Sequence, residues 1–197
     1  MATKVLVVSA KGGSGRTTAT VLLATSLGEA GLTSGIIDLD PQASASSWIS
    51  ASLKPIPGVE VFEKGRNYDF IWTDTQPLVD PSPETRKAAS AANIILLIGS
   101  DSPLDLHATN MTVKNLLTTP ALKKKTHLLF TRVVKNTGLS KQLNDNAKLL
   151  GVQRLKPVIH FKNGYREAAI RGWSALNRAA KDEIRNVAMA VLAKTSK

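Results

Sequence analysis

The hydrophobic positions of this chain fall into short unbroken apolar runs separated by longer stretches with helical spacing. Residues 4–9 (KVLVVS), 35–38, 68–74 (YDFIWTD), 93–98 (NIILLI) and 126–131 (THLLFT) read as strands, with 59–62 as a minor one. The main runs are apolar at successive positions, the mark of a strand buried on both faces. Residues 15–30, 43–51, 104–117, 139–150, 163–172 and 177–194 read as helices, and 153–160 as extended chain. In the first helix Val21, Leu22, Ala24 and Leu27 are available for an inner face. Buried strands alternating with helices predict an α/β fold: a single-domain parallel sheet covered by helices on both faces. Pro55, Pro57, Pro77, Pro81 and Pro83 mark loops, and the run Lys123, Lys124, Lys125 is placed on a loop as well.

Composition narrows the class. A length of 197 residues suits one domain, spanning 1–197, with 43% apolar residues to build its core. No apolar run approaches the roughly 20 residues of a membrane helix. The apolar stretch at the N-terminus is too short for a signal peptide. Cysteine is absent, which excludes disulfides, thiolate metal sites and iron–sulfur clusters. The expected location is cytoplasmic.

Charge changes the picture more. Lys and Arg number 26 against 15 Asp and Glu, a formal net charge of +11. Residues 1–100 hold 8 basic and 9 acidic side chains; residues 101–197 hold 18 basic and 6 acidic. A near-neutral half followed by a basic half suggests two tasks, the second on a polyanion, with nucleic acid the first choice. Arg171, Arg178 and Arg185 recur every seven residues, close to two helical turns, with Lys181 between. Arg178 and Arg185 therefore share a helix face.

The strongest local signal follows the first strand: Lys11, Gly12, Gly13, Ser14, Gly15, Arg16, Thr17, Thr18. A strand, a glycine-rich turn and a helix start converge several backbone N–H groups on one point, which cradles phosphate. Thr17 is placed to ligate Mg²⁺ and Thr18 to reach a phosphate. Asp38 and Asp74 end predicted strands, where parallel sheets place their ligand crevice. His107, His127 and His160 show no ligand spacing, and Trp48, Trp72 and Trp173 read as packing groups, Trp72 as core.

The glycine-rich string resembles the deviant Walker A motif, KGGxGKT, of the ParA/MinD family of P-loop ATPases. Asp38-Leu39-Asp40-Pro41-Gln42 is similar to the family's switch I motif, DxDPQ, and Asp74 to its Walker B acid. Ser102-Pro103-Leu104-Asp105 resembles a segment of the short ParF-like partition ATPases, and Thr131-Arg132 the adenine-contacting turn. Two departures stand out. The family has lysine where this chain has Arg16, and many members have a double proline where this chain reads Thr75-Gln76-Pro77. Arginine keeps the charge but is longer and planar.

The resemblance implies a P-loop NTPase fold and an ATPase using ATP and Mg²⁺. Gly12, Gly13, Ser14, Gly15, Arg16, Thr17, Thr18 and Arg132 would bind nucleotide; Thr17, Asp38 and Asp74 would surround the metal. Lys11 would reach across an ATP-bound homodimer, Asp40 would position the attacking water, and Arg16 would contact the transferred phosphate. Lys162 and Arg166, in a stretch similar to the family's basic DNA-touching segment, would bind DNA together with Arg171, Arg178 and Arg185. Such contacts go to phosphates and are blind to sequence. The implied role is plasmid or chromosome partition on nonspecific nucleoid DNA, with hydrolysis stimulated by a small centromere-binding, ParB-like partner and no membrane association. Two other readings are a slowly hydrolysing positioning scaffold, raised by Arg16, and a MinD-like membrane ATPase. The latter requires an amphipathic C-terminal helix with bulky apolar residues, whereas this chain ends in a stretch without aromatics.

Overall fold

The computed structural model describes residues 1–52, 54–78 and 80–195. The strands are β1 (Thr3–Ser9), β2 (Ser34–Asp38), β3 (Val59–Val61), β4 (Phe70–Asp74), β5 (Ile94–Gly99), β6 (Thr126–Val133), β7 (Gln153–Arg154) and β8 (Ile159–His160). The helices are α1 (Arg16–Gly28), α2 (Ser44–Ala51), α3 (Pro83–Ala91), α4 (Pro103–Leu116), α5 (Pro120–Lys124), α6 (Leu143–Leu149), α7 (Asn163–Arg171) and α8 (Arg178–Thr195). The strands form one parallel sheet in the order β3-β2-β4-β1-β5-β6-β7, with β8 pairing the far end of β6. The predicted α/β fold of P-loop NTPase type is the one found.

Alternation along β1 explains its apolar run. Val5 and Val7 face a core made with α1, α7 and α8, while Leu6 and Val8 face one made with α3, α4 and α6. Trp72, fully buried, packs in the first core, as expected. Helix α1 descends from the glycine-rich turn and packs directly against α8. Its end is tightly seated: a Cβ added at Gly28 would lie 1.8 Å from the Pro57 carbonyl oxygen.

Three local expectations need correction. The prolines near residue 80 do not simply mark a loop, because Pro83 starts α3 and the Ser82 hydroxyl accepts the Thr85 N–H at 3.2 Å. Proline suits a first helical turn, where its missing N–H has no partner to lose. Lys123 and Lys124 lie in the last turn of α5, capped by Thr119, where positive side chains complement the helix dipole. Lys125 closes that helix and donates to the carbonyls of Ser90 and Ala92. The extended stretch 153–160 divides into β7 and β8, which pair with opposite ends of β6. Between their partners β6 is irregular: its register shifts between Thr131 and Val133, and Arg132 has a left-handed φ of 58°.

Candidate functional site

Strand β1 is central, with β4 and β5 on its two sides, and the chain leaves its C-terminal end through the glycine-rich turn. Asp38 and Asp74 end the neighbouring strands, and Thr131 and Arg132 lie near the end of β6. These positions lie at the C-terminal ends of their strands, the edge where open parallel sheets take ligands. Gly13 and Gly15 have φ of 72° and 87°, a backbone open to glycine at no steric cost. The residue before α1 is Gly15, and it supplies no side-chain cap to the first turn.

The turn forms one wall of a cavity of about 440 Å³. Residues 13–18 line it together with Thr131, Arg132, residues 159–162, Tyr165 and Arg166. The loop is tied to the end of β6. Thr131 Oγ1 donates to the Ser14 carbonyl, and Arg132 donates to the Gly13 carbonyl. The Arg132 guanidinium also lies over the Phe161 ring, 5.6 Å from its centroid.

A second cluster holds residues 160–165 in place. Glu183 of α8 accepts the His160 N–H at 2.8 Å and the Tyr165 hydroxyl at 2.8 Å on one oxygen. Its other oxygen meets His160 Nδ1 at 2.6 Å and Lys162 Nζ at 2.9 Å. Burial pushes the Glu183 carboxyl up, but the hydrogen bonds from Lys162, His160 and Tyr165 outweigh it and hold the group below its usual range. Sequence reasoning missed Glu183, since its partners lie about twenty residues away across a helix break. Lys162, expected on DNA, is committed to this carboxylate inside the cavity wall. Arg166 is exposed at the cavity rim, and Arg171 is exposed at the end of α7. Arg178 and Arg185 share the exposed face of α8 as expected, but both pair with Asp182 between them, at 3.7 and 3.1 Å.

The acids are arranged unexpectedly. Arg16 is 7% exposed and does not point along the phosphate loop. Its Nε donates to Asp74 Oδ1 at 3.2 Å, its Nη1 to Ser9 Oγ at 2.8 Å and its Nη2 to Asp40 Oδ2 at 3.0 Å. Thr17 Oγ1 donates to Asp74 Oδ2 at 2.7 Å, and Thr20 Oγ1 lies 3.3 Å from Oδ1. Burial pushes the Asp74 carboxyl up, against the opposing pull of Thr17 and Arg16. The two oxygens of Asp38 accept the N–H groups of Asp40 and Ser46, and its charge adds to the upward push on the Asp74 carboxyl. Lys11, half exposed, pairs within the chain with Asp105 at 2.6 Å.

These side chains do not fit Mg²⁺ as a resident ion. Thr17 and Asp74 offer the hard oxygen pair a dication takes. The cationic position between Asp74 and Asp40, however, is filled by the Arg16 guanidinium. Among the described residues no group of three acidic or imidazole side chains could hold a metal ion. None among those residues is part of a helix long and apolar enough to cross a membrane.

Comparison with known proteins agrees with this geometry. Residues 5–174 match the model of the CobQ/CobB/MinD/ParA nucleotide binding domain. No curated protein matches the chain. Among solved structures, a protein of Borrelia burgdorferi B31 assigned to plasmid partition and bound to AMPPNP is 18% identical. The likeness covers 98% of this chain and 100% of that one, with a TM-score of 0.72. The MinC:MinD cell division complex of Aquifex aeolicus is 16% identical, covering 98% and 96%, with a TM-score of 0.76. A ParA family ATPase of Chlorobium tepidum TLS is 15% identical, covering 96% and 99%, with a TM-score of 0.69. At these identities the structures speak for the fold, while the family match spans most of the chain. With its glycine-rich turn at the end of a central parallel strand, this chain belongs to the CobQ/CobB/MinD/ParA nucleotide-binding family of P-loop ATPases.

Proposed function

We propose that this protein is a partition-type switch in which ATP bound at the glycine-rich turn drives face-to-face dimerisation and binding to nonspecific DNA. One observation carries the reading: the glycine-rich turn and residues of the basic segment 160–166 line the same cavity. A nucleotide on residues 13–18 would share that cavity with Arg166 and with the residues that Glu183 of α8 holds. Nucleotide occupancy and the basic surface are coupled through shared structure, and such coupling is reciprocal. The DNA contacts assigned to this state are Arg166, Arg171, Arg178 and Arg185, all exposed. Lys11, released from Asp105, would reach the partner's nucleotide. A small centromere-binding protein would trigger release. Sedimentation with ATP, ADP and no nucleotide tests the first step. Dimers with ATP alone are expected, whereas the same species in all three conditions contradicts the switch.

A second reading is favoured by Arg16. Both oxygens of Asp40 are engaged, Oδ2 by Arg16 and Oδ1 by the Gln42 N–H at 3.0 Å. A carboxylate so occupied is poorly placed to orient water. On this reading the protein binds ATP and DNA but hydrolyses slowly, as a positioning scaffold. Single-turnover hydrolysis with and without DNA separates the two: stimulated turnover supports the switch, and negligible turnover in both supports the scaffold.

A further inference from the structure

We propose that Arg16 is itself the resident cation of the phosphate site, so that nucleotide binds this chain without a divalent ion. The inference rests on the nucleotide-binding reading above and concerns what neutralises charge there. It starts from the disagreement between Arg16 and the metal expected beside it.

The guanidinium occupies the place between two carboxylates. Its three nitrogens meet Asp74, Ser9 and Asp40, and both acids are nearly or fully buried, at 0% and 11% side-chain exposure. A buried carboxylate needs a partner charge, since burial alone disfavours its ionised form. Arg16 supplies that charge permanently, because guanidinium does not lose its proton in proteins. Its planar fork spans acceptors on two strands and a loop, which a compact ammonium on a lysine stem does not do at once.

The same geometry leaves Arg16 able to serve a ligand. Guanidinium carries five N–H groups, and three are used by the neighbours named above. Arg16 also lines the cavity next to the phosphate loop. Two of its N–H groups have no acceptor among the described residues, and phosphate oxygens in that cavity would supply one, in charge-assisted hydrogen bonds that add to those of the loop amides. A dication entering between Asp74 and Asp40 would have to displace a guanidinium that is 7% exposed and leave it unpaired. Thr17 Oγ1 is likewise turned onto Asp74 rather than held open. Neutralisation of the triphosphate thus falls to groups of the chain.

The experiment measures ATP binding to the full chain by calorimetry, in Mg²⁺ and in excess EDTA, with thermal unfolding as a second readout. The dissociation constants are expected to agree within about threefold, with the same ATP-induced rise in Tm under both conditions. A loss of about tenfold or more on chelation overturns the proposal while leaving the nucleotide site intact. Absence of binding under both conditions overturns the nucleotide site and this proposal together. Arg16→Lys is the companion variant: its shorter, compact head frees the Asp74–Asp40 edge, and its ATP affinity is expected to become sensitive to chelation. A folded Arg16→Lys protein that stays insensitive contradicts the assignment. If that variant does not fold, the chelation comparison on the unaltered chain decides alone.

Discussion

The Arg16 guanidinium and the Asp40 carboxylate meet at 3.0 Å with little of either side chain in contact with solvent. Removing one partner of such a pair leaves the other buried and uncompensated. Asp40→Ala is therefore expected to destabilise the fold by about 3 kcal/mol. Urea unfolding checks this. A loss below about 0.5 kcal/mol, the range of ordinary surface substitutions, would mean that Arg16 is satisfied by Asp74 and Ser9 alone.

Lys11 and Asp105 form a different kind of pair. Lys11 is 47% exposed, and an exposed ion pair contributes under about 1 kcal/mol. Asp105→Asn should leave the unfolding midpoint nearly unchanged while releasing the lysine from the chain's own α4. The expected consequence is ATP-driven dimerisation at lower protein concentration. A variant that dimerises as the unaltered chain does would remove any restraining role from Asp105.

Glu183 makes stability depend on pH in a defined direction. Its folded carboxyl titrates below the ordinary 4.5, so between those values the unfolded chain binds more protons than the native one. Its contribution is complete above about pH 4.5 and is lost as pH falls through the folded value. Glu183→Gln should cost about 2 kcal/mol at neutral pH and flatten the acid limb of the stability curve. A parallel, unflattened limb would place the acid dependence elsewhere.

Basic residues near the cavity should separate by salt dependence. Arg166 is free at the rim, so Arg166→Ala is expected to lower the slope of DNA affinity against salt by about one counterion. Lys162 is held by Glu183, and Lys162→Ala should leave that slope unchanged while weakening nucleotide binding. An equal reduction in both variants would show that the Glu183 pair opens on DNA.

Most of the architecture was legible because fully buried strands are read directly from unbroken apolar runs. The glycine-rich turn was legible because its strand, turn and helix follow one another along the chain. What was hidden lay in long-range pairings. Nothing local to Arg16 shows that its side chain reaches acids 24 and 58 residues away. Glu183 lies in a helix read only for its arginines, yet it organises the cavity wall. Helix α3 is hidden in the sequence because Pro81 and Pro83 read as loop signals, when Ser82 and Pro83 together form a helix start. The run Lys123, Lys124, Lys125 before a strand reads as a loop, although Thr119 and Pro120 carry the same start signal.

Fluorescence anisotropy of a nonspecific duplex reads the proposed coupling of nucleotide to DNA. The titration is run with ATP, ADP and no nucleotide, each at two salt concentrations. Tight, salt-sensitive binding is expected with ATP, and weak binding in the other two states. Equal affinity in all three states, falling together with salt, would contradict it and reduce the basic half to an electrostatic surface that nucleotide does not control.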